Sequence, residues 1–178
     1  GVGGHCLAVD PYFIYAKAPE TALMIKLARD INSGMPDYVA EQVMLLLSGI
    51  ENQVIAVFGA AYKGNTDDTR ESPALEVIEQ LRSRGGEVRI HDPHVRQAGF
   101  VGLDEAVTGA HIIVVLADHT EFKNLDHHRI ATKMARPLLF DLKSCISQQQ
   151  GSGLTIVHYG NLSAFKQSIP NQAGEGRP

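Results

Sequence analysis

The sequence has few cysteines and no long apolar run, and these absences exclude several classes of protein. Only two cysteines occur, Cys6 and Cys145, with no CxxC spacing, which argues against a disulfide scaffold or a zinc knuckle. No apolar run approaches the ~20 residues that span a bilayer, and the first residues lack the basic and apolar pattern of a signal peptide. We therefore expect reduced thiols, a cytoplasmic location and no membrane contact.

The chain also lacks an excess of basic residues. It has 16 lysines and arginines against 20 aspartates and glutamates, for a formal net charge of −4. Nucleic-acid-binding domains carry basic patches that neutralise phosphate charge, so we expect no nucleic-acid partner. Hydrophobic residues make up 44% of the 178 positions, which is enough for one core plus a smaller helical piece.

The histidines do not predict a metal site. His91, His94, His127 and His128 have no carboxylate or cysteine at a recognised ligand spacing. Surface positions or helix caps explain them better, and we expect no metal.

Short apolar runs alternate with helical patterns from residue 53 onwards. The runs predict strands at 53–58, 88–91, 111–116, 137–141 and 155–158, and the intervening patterns predict helices opening at Ser72-Pro73 and spanning 103–108 and 125–134. This alternation predicts an α/β fold, a Rossmann-like doubly wound parallel sheet with its ligand at the carboxyl ends of the strands.

Residues 11–48 carry helical patterns instead. We predict a short helix at 11–17, a second at 21–32 that stops at Gly34, and a third that restarts at Pro36 and runs to Ser48. Apolar stripes mark the last two helices: Leu23, Leu27, Ala28 and Ile31, then Val39, Val43, Leu46 and Leu47. Periodicity leaves open whether these stripes form a core or a subunit interface.

Three regions follow from these patterns. Residues 1–48 form the end of a helical domain, residues 49–165 form the sheet domain, and the polar residues 166–178 form a disordered tail. The chain opens with Gly1 inside a motif, so we expect a fragment that lacks a preceding domain.

The first thirteen residues, Gly1-Val-Gly-Gly-His-Cys-Leu-Ala-Val-Asp-Pro-Tyr-Phe13, place a thiol between a glycine-rich turn and a helix. Gly3 and Gly4 allow close approach of the backbone to a ligand. Asp10 and Pro11 suit the N-cap and first position of a helix, which puts Cys6 about one turn before it, where the helix dipole favours a thiolate. From spacing alone, Cys6 is either a nucleophile or a small buried hydrophobe.

This motif resembles the catalytic cysteine motif of the UDP-glucose/UDP-N-acetylmannosamine dehydrogenases, which oxidise the C6 alcohol of a nucleotide sugar to a carboxylate. A second block, Phe58-Gly-Ala-Ala-Tyr-Lys-Gly-Asn-Thr-Asp-Asp-Thr-Arg-Glu-Ser-Pro-Ala74, resembles the UDP-binding domain of that family. A third, Leu116-Ala-Asp-His-Thr-Glu-Phe-Lys123, resembles the same domain in the N-acetylhexosamine branch. The likeness covers roughly residues 1–145.

The resemblance implies a role for each matched residue. Cys6 would capture the aldehyde as a thiohemiacetal that becomes a thioester, and Asp10 would orient the hydrolytic water. Substrate contacts are implied for Gly3, Gly4, His5, Tyr12, Phe13 and Lys63. Arg70 would contact the cofactor, NAD, and the helical segment would form a homodimer. The implied substrate is UDP-N-acetyl-D-mannosamine, with UDP-glucose and UDP-N-acetylglucosamine as alternatives.

The turn after the first predicted strand, Gly59-Ala-Ala-Tyr-Lys-Gly64, lacks the G-x-G-x-x-G pattern of a dinucleotide site. With Lys63 and Arg70 as cations it suits a UDP site better, although an ordinary solvated turn has the same composition. We therefore expect this chain alone to bind UDP-sugars weakly and not to reduce NAD. Two other functions stay open, a UDP-binding or dimerisation module without chemistry and a hydrolase that uses Cys6 with a histidine.

Overall fold

A parallel five-stranded sheet forms the centre of the computed structural model, which describes residues 1–168. The strands are β1 Val54–Phe58, β2 Glu87–His91, β3 Ile112–Val115, β4 Leu138–Asp141 and β5 Thr155–His158. Their order is β2-β1-β3-β4-β5, and every neighbouring pair is parallel. This is a doubly wound order, so the predicted α/β fold is confirmed, with each strand end within one residue of its predicted position.

Burial explains why the central strands have uninterrupted apolar sequences. All four residues of β3 and all four of β4 are buried, because helices cover both faces of the sheet and leave no solvent-facing side. The edge strand β2 is less buried and carries Glu87 and Arg89. The core accordingly divides into two apolar clusters, one on each face of the sheet.

Seven helices occur among residues 1–168. They are α1 Asp10–Lys17, α2 Leu23–Leu46, α3 Pro73–Ser83, α4 Leu103–Val107, α5 Thr120–Lys123, α6 His127–Lys133 and α7 Tyr159–Ser168. The start of α3 is as predicted, since the Ser72 hydroxyl accepts a hydrogen bond from the Ala74 amide and Pro73 is the first helical residue. No helix in the described part of the chain is long and apolar enough to cross a bilayer.

Helix α2 is continuous, whereas the sequence predicts two helices separated at Gly34. Both Gly34 and Pro36 lie inside it. A proline inside a helix costs about 3 kcal/mol because it lacks an N–H and crowds the preceding turn. Burial of Val39, Val43 and Leu46 in the core beside α3 offsets that cost, so tertiary packing overrides the local stop signal.

Helix α7 was not predicted, and it corrects the boundary of the tail. Residues 166–168, assigned to the disordered tail, form the last part of this helix. Leu162 and Phe165 pack against the core and stabilise it. Residues 169–178, the rest of the predicted tail, lie outside the described residues.

The sheet order fixes where a ligand site forms. The connections from β1 and from β3 depart toward opposite faces, which opens a crevice at the carboxyl ends of these two neighbouring strands. The loops that follow β1 and β3 carry the second and third sequence motifs.

Candidate active site

Residues 1–9, here called the cysteine loop, fold into a turn that leads directly into α1. The Cys6 carbonyl accepts hydrogen bonds from the amides of Val9 at 3.0 Å and Asp10 at 2.8 Å. Cys6 lies four residues before Asp10, the first residue of α1, and it is exposed. The predicted place of the thiol, about one turn before a helix, is therefore confirmed.

The predicted helix cap is wrong. Val9 is the N-cap residue and makes no side-chain capping bond, and Asp10 is already the first helical residue. The reason is that the Asp10 amide continues the turn by bonding to the Cys6 carbonyl. The Asp10 carboxylate is thus exposed rather than occupied as a cap.

The cysteine loop lies against the loop that follows β1, residues 59–72, here called the lysine loop. The Gly4 amide donates a hydrogen bond to the Glu71 carbonyl at 3.2 Å. A Cβ atom on Gly3 would lie 2.2 Å from that same carbonyl oxygen, and Gly4 has a φ of +93° with the Tyr62 ring beside it. Both glycines are buried by this contact, so close packing of the two loops requires them.

Helix α2 holds the cysteine loop from the other side. The Asn32 side-chain oxygen accepts a hydrogen bond from the Val2 amide at 2.7 Å, and its NH2 group donates to the Val2 carbonyl at 2.9 Å. Arg29 donates to the Leu7 carbonyl at 3.3 Å. Sequence patterns gave no sign of these anchors, because they join residues far apart in the chain.

The two predicted cations lie on the lysine loop. The Lys63 ammonium is exposed and lies 5.7 Å from the centroid of the Tyr62 ring. Arg70 forms a two-point ion pair with Asp68, with Nη2 2.7 Å from Oδ2 and Nε 2.9 Å from Oδ1. The side chain of Arg70 is 67% exposed, so this pair leaves most of the guanidinium open to an anion.

The ion pair shifts the pKa values of both of its members. Hydrogen bonds from Arg70 hold the pKa of the Asp68 carboxyl well below its usual range, with a smaller contribution from His5. The Asp68 carboxylate raises the pKa of Arg70, and Cys6 adds to that increase. The hydrogen bond between Gly4 and Glu71 joins the first and second motifs at one edge of the sheet.

The remaining predicted contacts lie on or beside α1. His5 is exposed next to Cys6. The Arg29 guanidinium lies over the Tyr12 ring, 5.6 Å from its centroid, and Phe13 is 67% exposed. Helix α1 also packs against α2. Contact of the Tyr12 and Phe13 rings with a substrate stays a prediction.

A cleft opens beside the contact between the two loops. Its walls come from α2, the lysine loop, the start of α3 and the segments after β4 and β5, and include Pro36, Tyr62, Pro73, Lys143 and Tyr159. Three non-glycine residues with positive φ, Asn65, Glu71 and Ser144, lie in the loops after β1 and β4. Such backbone strain of about 1–2 kcal/mol per residue often accompanies functional loops. Lys143 is a third cation here that sequence reasoning missed.

A buried pair of hydrogen-bonded side chains lies beneath the lysine loop. His119 Nε2 is 3.1 Å from Asp92 Oδ2, and neither side chain has exposed surface. Burial acts to raise the pKa of Asp92, but hydrogen bonds from His119 and from backbone amides outweigh it and bring the pKa below its usual range. Because Pro93 follows Asp92 in the sequence, the sequence alone indicates only a turn at this position.

His94, His119 and Glu121 lie close enough to share a cation, but their hydrogen bonds do not favour one. His119 Nδ1 accepts a hydrogen bond from the Asn65 amide, and its Nε2 is bonded to Asp92. His119 therefore has no free lone pair for a metal.

Comparison with known proteins decides the family. A family model described as the UDP-binding domain of the UDP-glucose/GDP-mannose dehydrogenase family matches residues 56–148, more than half of the chain. The chain belongs to the UDP-glucose/GDP-mannose dehydrogenase family. The matched residues include the end of β1, the lysine loop, and the motif after β3.

Several relatives of this family member share one name. A UDP-N-acetyl-D-mannosamine dehydrogenase from Methanocaldococcus jannaschii is 42% identical over 154 residues, which is 84% of this chain and 36% of that protein. Solved structures of UDP-N-acetyl-mannosamine dehydrogenases are also similar. That from S. aureus has 41% identity and a TM-score of 0.84 over 93% of this chain and 40% of its own.

A second solved structure of a protein with this name is similar to the chain to nearly the same degree. The UDP-D-ManNAc dehydrogenase from Pyrococcus horikoshii has 39% identity and a TM-score of 0.81, covering 90% of this chain and 39% of its own. The chain thus spans about 36–40% of the length of these relatives.

The sheet of this dehydrogenase-family chain does not fit a dinucleotide. In a dinucleotide site the helix begins directly after the first strand, and its free amides bind the pyrophosphate. Here β1 ends at Phe58 and α3 begins only at Pro73. The amides of Ala60 and Ala61 are already bonded to Asp92, at 2.7 and 3.3 Å, so they are not available to a cofactor.

Proposed function

We propose that this chain binds a UDP-sugar where the cysteine loop meets the lysine loop, and that it supplies the nucleophile of an NAD-dependent UDP-sugar 6-dehydrogenase. The contact between these loops carries the proposal, because it gathers an exposed thiol and exposed cations at the carboxyl edge of the sheet. The relatives named for UDP-N-acetyl-D-mannosamine support that sugar nucleotide as the substrate.

Lys63 and Arg70 would bind phosphates. A diphosphate carries strong acceptor oxygens, and an ammonium recognises them as a point charge while a guanidinium bonds them in pairs. Lys63 is the residue we assign to the nucleotide sugar. We assign Arg70, held by Asp68, to a phosphate of NAD bound outside this sheet.

Cys6 would act on the oxidised C6 carbon of the sugar. NAD is the family's acceptor for the two hydrides that leave this carbon. The Cys6 sulfur adds to the aldehyde carbon, forming a C–S bond while the aldehyde oxygen takes up a proton. After the second oxidation the carbon is a thioester; water then adds to it, the C–S bond breaks, and the sulfur leaves as a thiolate.

The cysteine loop would assist these steps. Asp10 is exposed one helical turn after Cys6, with its backbone bonded to the Cys6 carbonyl, and so it is placed to orient the hydrolytic water. Gly3 and Gly4 hold the loop against Glu71 and Tyr62. This packing would hold the thiol in a constant position relative to Lys63 while a sugar is bound.

A second copy of the chain would pack on α2. Five large apolar side chains are 43–65% exposed along one side of this helix: Leu23, Leu27, Ile31, Tyr38 and Leu45. An exposed apolar stripe of this length is typical of a surface that is covered in the working protein. We therefore propose that the homodimer forms through α2.

The test uses the full-length enzyme that contains this chain, with NADH formation followed against acid product. Cys6→Ala should abolish acid formation from UDP-N-acetyl-D-mannosamine. Cys145→Ala is the matched control and should retain activity, since burial raises the pKa of the Cys145 thiol to about 11 and makes it a poor nucleophile. Sustained turnover by Cys6→Ala would overturn the proposed chemistry.

The same assay tests the substrate. We expect the highest kcat/KM with UDP-N-acetyl-D-mannosamine, compared with UDP-N-acetylglucosamine and UDP-glucose, and two NADH for each acid formed. A preference for UDP-glucose would change the substrate and leave the role of Cys6 intact. UDP binding without any turnover in the full-length enzyme would instead support the module without chemistry.

A further inference from the structure

Two buried side chains below the lysine loop connect it to the ends of β2 and β3, the two strands that flank β1. Asp92 directly follows β2, and His119 lies four residues beyond β3. His119 Nε2 and Asp92 Oδ2 are 3.1 Å apart, and both side chains are completely buried. Neither can touch a bound nucleotide sugar.

These side chains bond to the lysine loop on both sides of Lys63. Before Lys63, Asp92 Oδ2 accepts hydrogen bonds from the amides of Ala60 at 2.7 Å and Ala61 at 3.3 Å. After it, His119 Nδ1 accepts from the amide of Asn65 at 2.9 Å. Since Nδ1 accepts, the Nε2 nitrogen carries the proton and donates it to Asp92.

The segment held in this way is also the part of the lysine loop that meets the cysteine loop. Tyr62 lies between Ala61 and Lys63, and its ring would lie 3.0 Å from a Cβ atom on Gly4. Asn65 has a left-handed backbone, with a φ of +57°, a conformation that residues other than glycine adopt uncommonly. Loss of the His119 contact would leave Lys63 in a loop that has to be ordered again when a ligand binds.

We infer that Asp92 and His119 are positioning residues that hold Lys63 in place to bind the diphosphate of the nucleotide sugar. The inference rests on the proposed function, because it assigns a task to the residue that binds phosphate. Asp92 and His119 would affect ligand binding only through the lysine loop, because they do not touch the ligand themselves.

Two substitutions of His119 separate its two hydrogen bonds. His119→Asn keeps an acceptor at the position of Nδ1 for the Asn65 amide and loses the bond to Asp92. Asp92 stays satisfied there, because it also accepts from Ala60, Ala61, His94 and Val95. His119→Gln keeps a donor for Asp92 and leaves the Asn65 amide without its partner.

Calorimetric titration of UDP into this chain and its two variants tests the inference. His119→Asn should bind UDP within about twofold of wild type, whereas His119→Gln should bind roughly tenfold more weakly. Urea unfolding of each variant reports whether it is folded under the titration conditions. Equal UDP affinity of the two folded variants would overturn the positioning role.

A double-mutant cycle with Lys63→Met distinguishes positioning from a purely structural role. If His119 acts through Lys63, then His119→Gln should cause little further loss of UDP affinity once Lys63→Met is present. Additive losses would contradict the inference and leave the proposed function standing. If the wild-type chain does not bind UDP at all, that result contradicts both the proposed UDP binding by this chain and the positioning role.

Discussion

Two glycines with different surroundings give opposite expectations for the same substitution. A Cβ atom on Gly3 would lie 2.2 Å from the Glu71 carbonyl oxygen and 2.5 Å from Pro73 Cδ, whereas nothing lies within 4 Å of a Cβ on Gly34. Gly3→Ala should therefore lower the free energy of unfolding by about 1–3 kcal/mol. Gly34→Ala, inside α2, should raise it by about 0.5–1 kcal/mol.

Urea denaturation of both variants checks this pair. Gly3→Ala should also weaken UDP binding, because the clash pushes the cysteine loop away from the lysine loop. Unchanged stability of Gly3→Ala would show that the two loops are not packed as described.

Lys63 provides a second prediction at the residue scale. Lys63→Met should weaken UDP binding by at least about tenfold, because a charged hydrogen bond to phosphate is lost. Lys133→Met is the control, since Lys133 pairs with Asp104 at the end of α6, far along the chain from the cysteine and lysine loops. Calorimetry with UDP should distinguish the two variants, and equal affinities would remove Lys63 from the site.

His127 predicts a dependence of stability on pH. Its ring is buried, its nitrogens have no hydrogen-bond partner among the described residues, and burial lowers its pKa. As pH falls through about 6.5 the unfolded chain takes up a proton that the folded chain resists. This residue therefore makes the folded state progressively less stable as pH falls, until the lowered folded pKa is reached.

Replacing the imidazole should remove this acid sensitivity. In His127→Phe, the loss of unfolding free energy between pH 7.5 and about pH 5.5 should be smaller than in wild type. His128→Gln is the matched control, because His128 is the exposed neighbour. Its replacement should leave the loss of unfolding free energy over this pH range near the wild-type value. An identical pH dependence in all three proteins would contradict the prediction.

Residues of the site differ in how far the sequence could reveal them. Cys6, Lys63 and Arg70 belong to motifs that resemble those of a known family, and this resemblance, more than spacing alone, predicts their roles. Asn32 and His119 act through hydrogen bonds to residues at least 30 positions away in sequence. A pattern within a short window contains no information about such partners, so these residues emerged only from the structure.

At the scale of elements, strands were predictable and interruptions of helices were not. A continuous apolar run such as β3 fits a strand buried on both faces, and its limits follow from the polar residues beside it. Gly34 and Pro36 indicate a helix stop locally, but packing of the second half of α2 on α3 outweighs them. Helices α5 and α7 lack the starting signals that mark α3.

The exposed stripe on α2 predicts self-association of the chain. The stripe is continuous along one side of the helix, and Leu27 lies within it, 60% exposed. In sedimentation velocity, the average mass of the wild-type chain should rise with concentration toward that of a dimer. Leu27→Glu should keep the chain monomeric, because association would bury its charge.

The control for this prediction is a glutamate on another helix. His128→Glu adds the same charge at an exposed position of α6, which packs on the face of the sheet opposite α2, and should leave self-association unchanged. Dissociation by both variants would indicate a general effect of charge rather than an interface on α2.

At the scale of the whole molecule, the chain should bind a nucleotide without performing the oxidation. It presents cations for UDP, but its sheet does not fit a dinucleotide because the amides at 60 and 61 are bonded to Asp92. Incubation of this chain with NAD and UDP-N-acetyl-D-mannosamine should give no NADH fluorescence, while UDP titration should release heat. Reduction of NAD by this chain would contradict the assignment of the cofactor to a site outside the sheet.

Helix α2 is about 36 Å long, since each of its 24 residues adds 1.5 Å. One side of this rod carries the exposed stripe, its second half is embedded in the core, and Asn32 bonds to the backbone of Val2, four residues ahead of Cys6. A tilt of α2 would therefore be transmitted through Asn32 to the cysteine loop directly, without a change in the sheet. In the proposed dimer, one helix would thus link the pairing of subunits to the position of the Cys6 thiol.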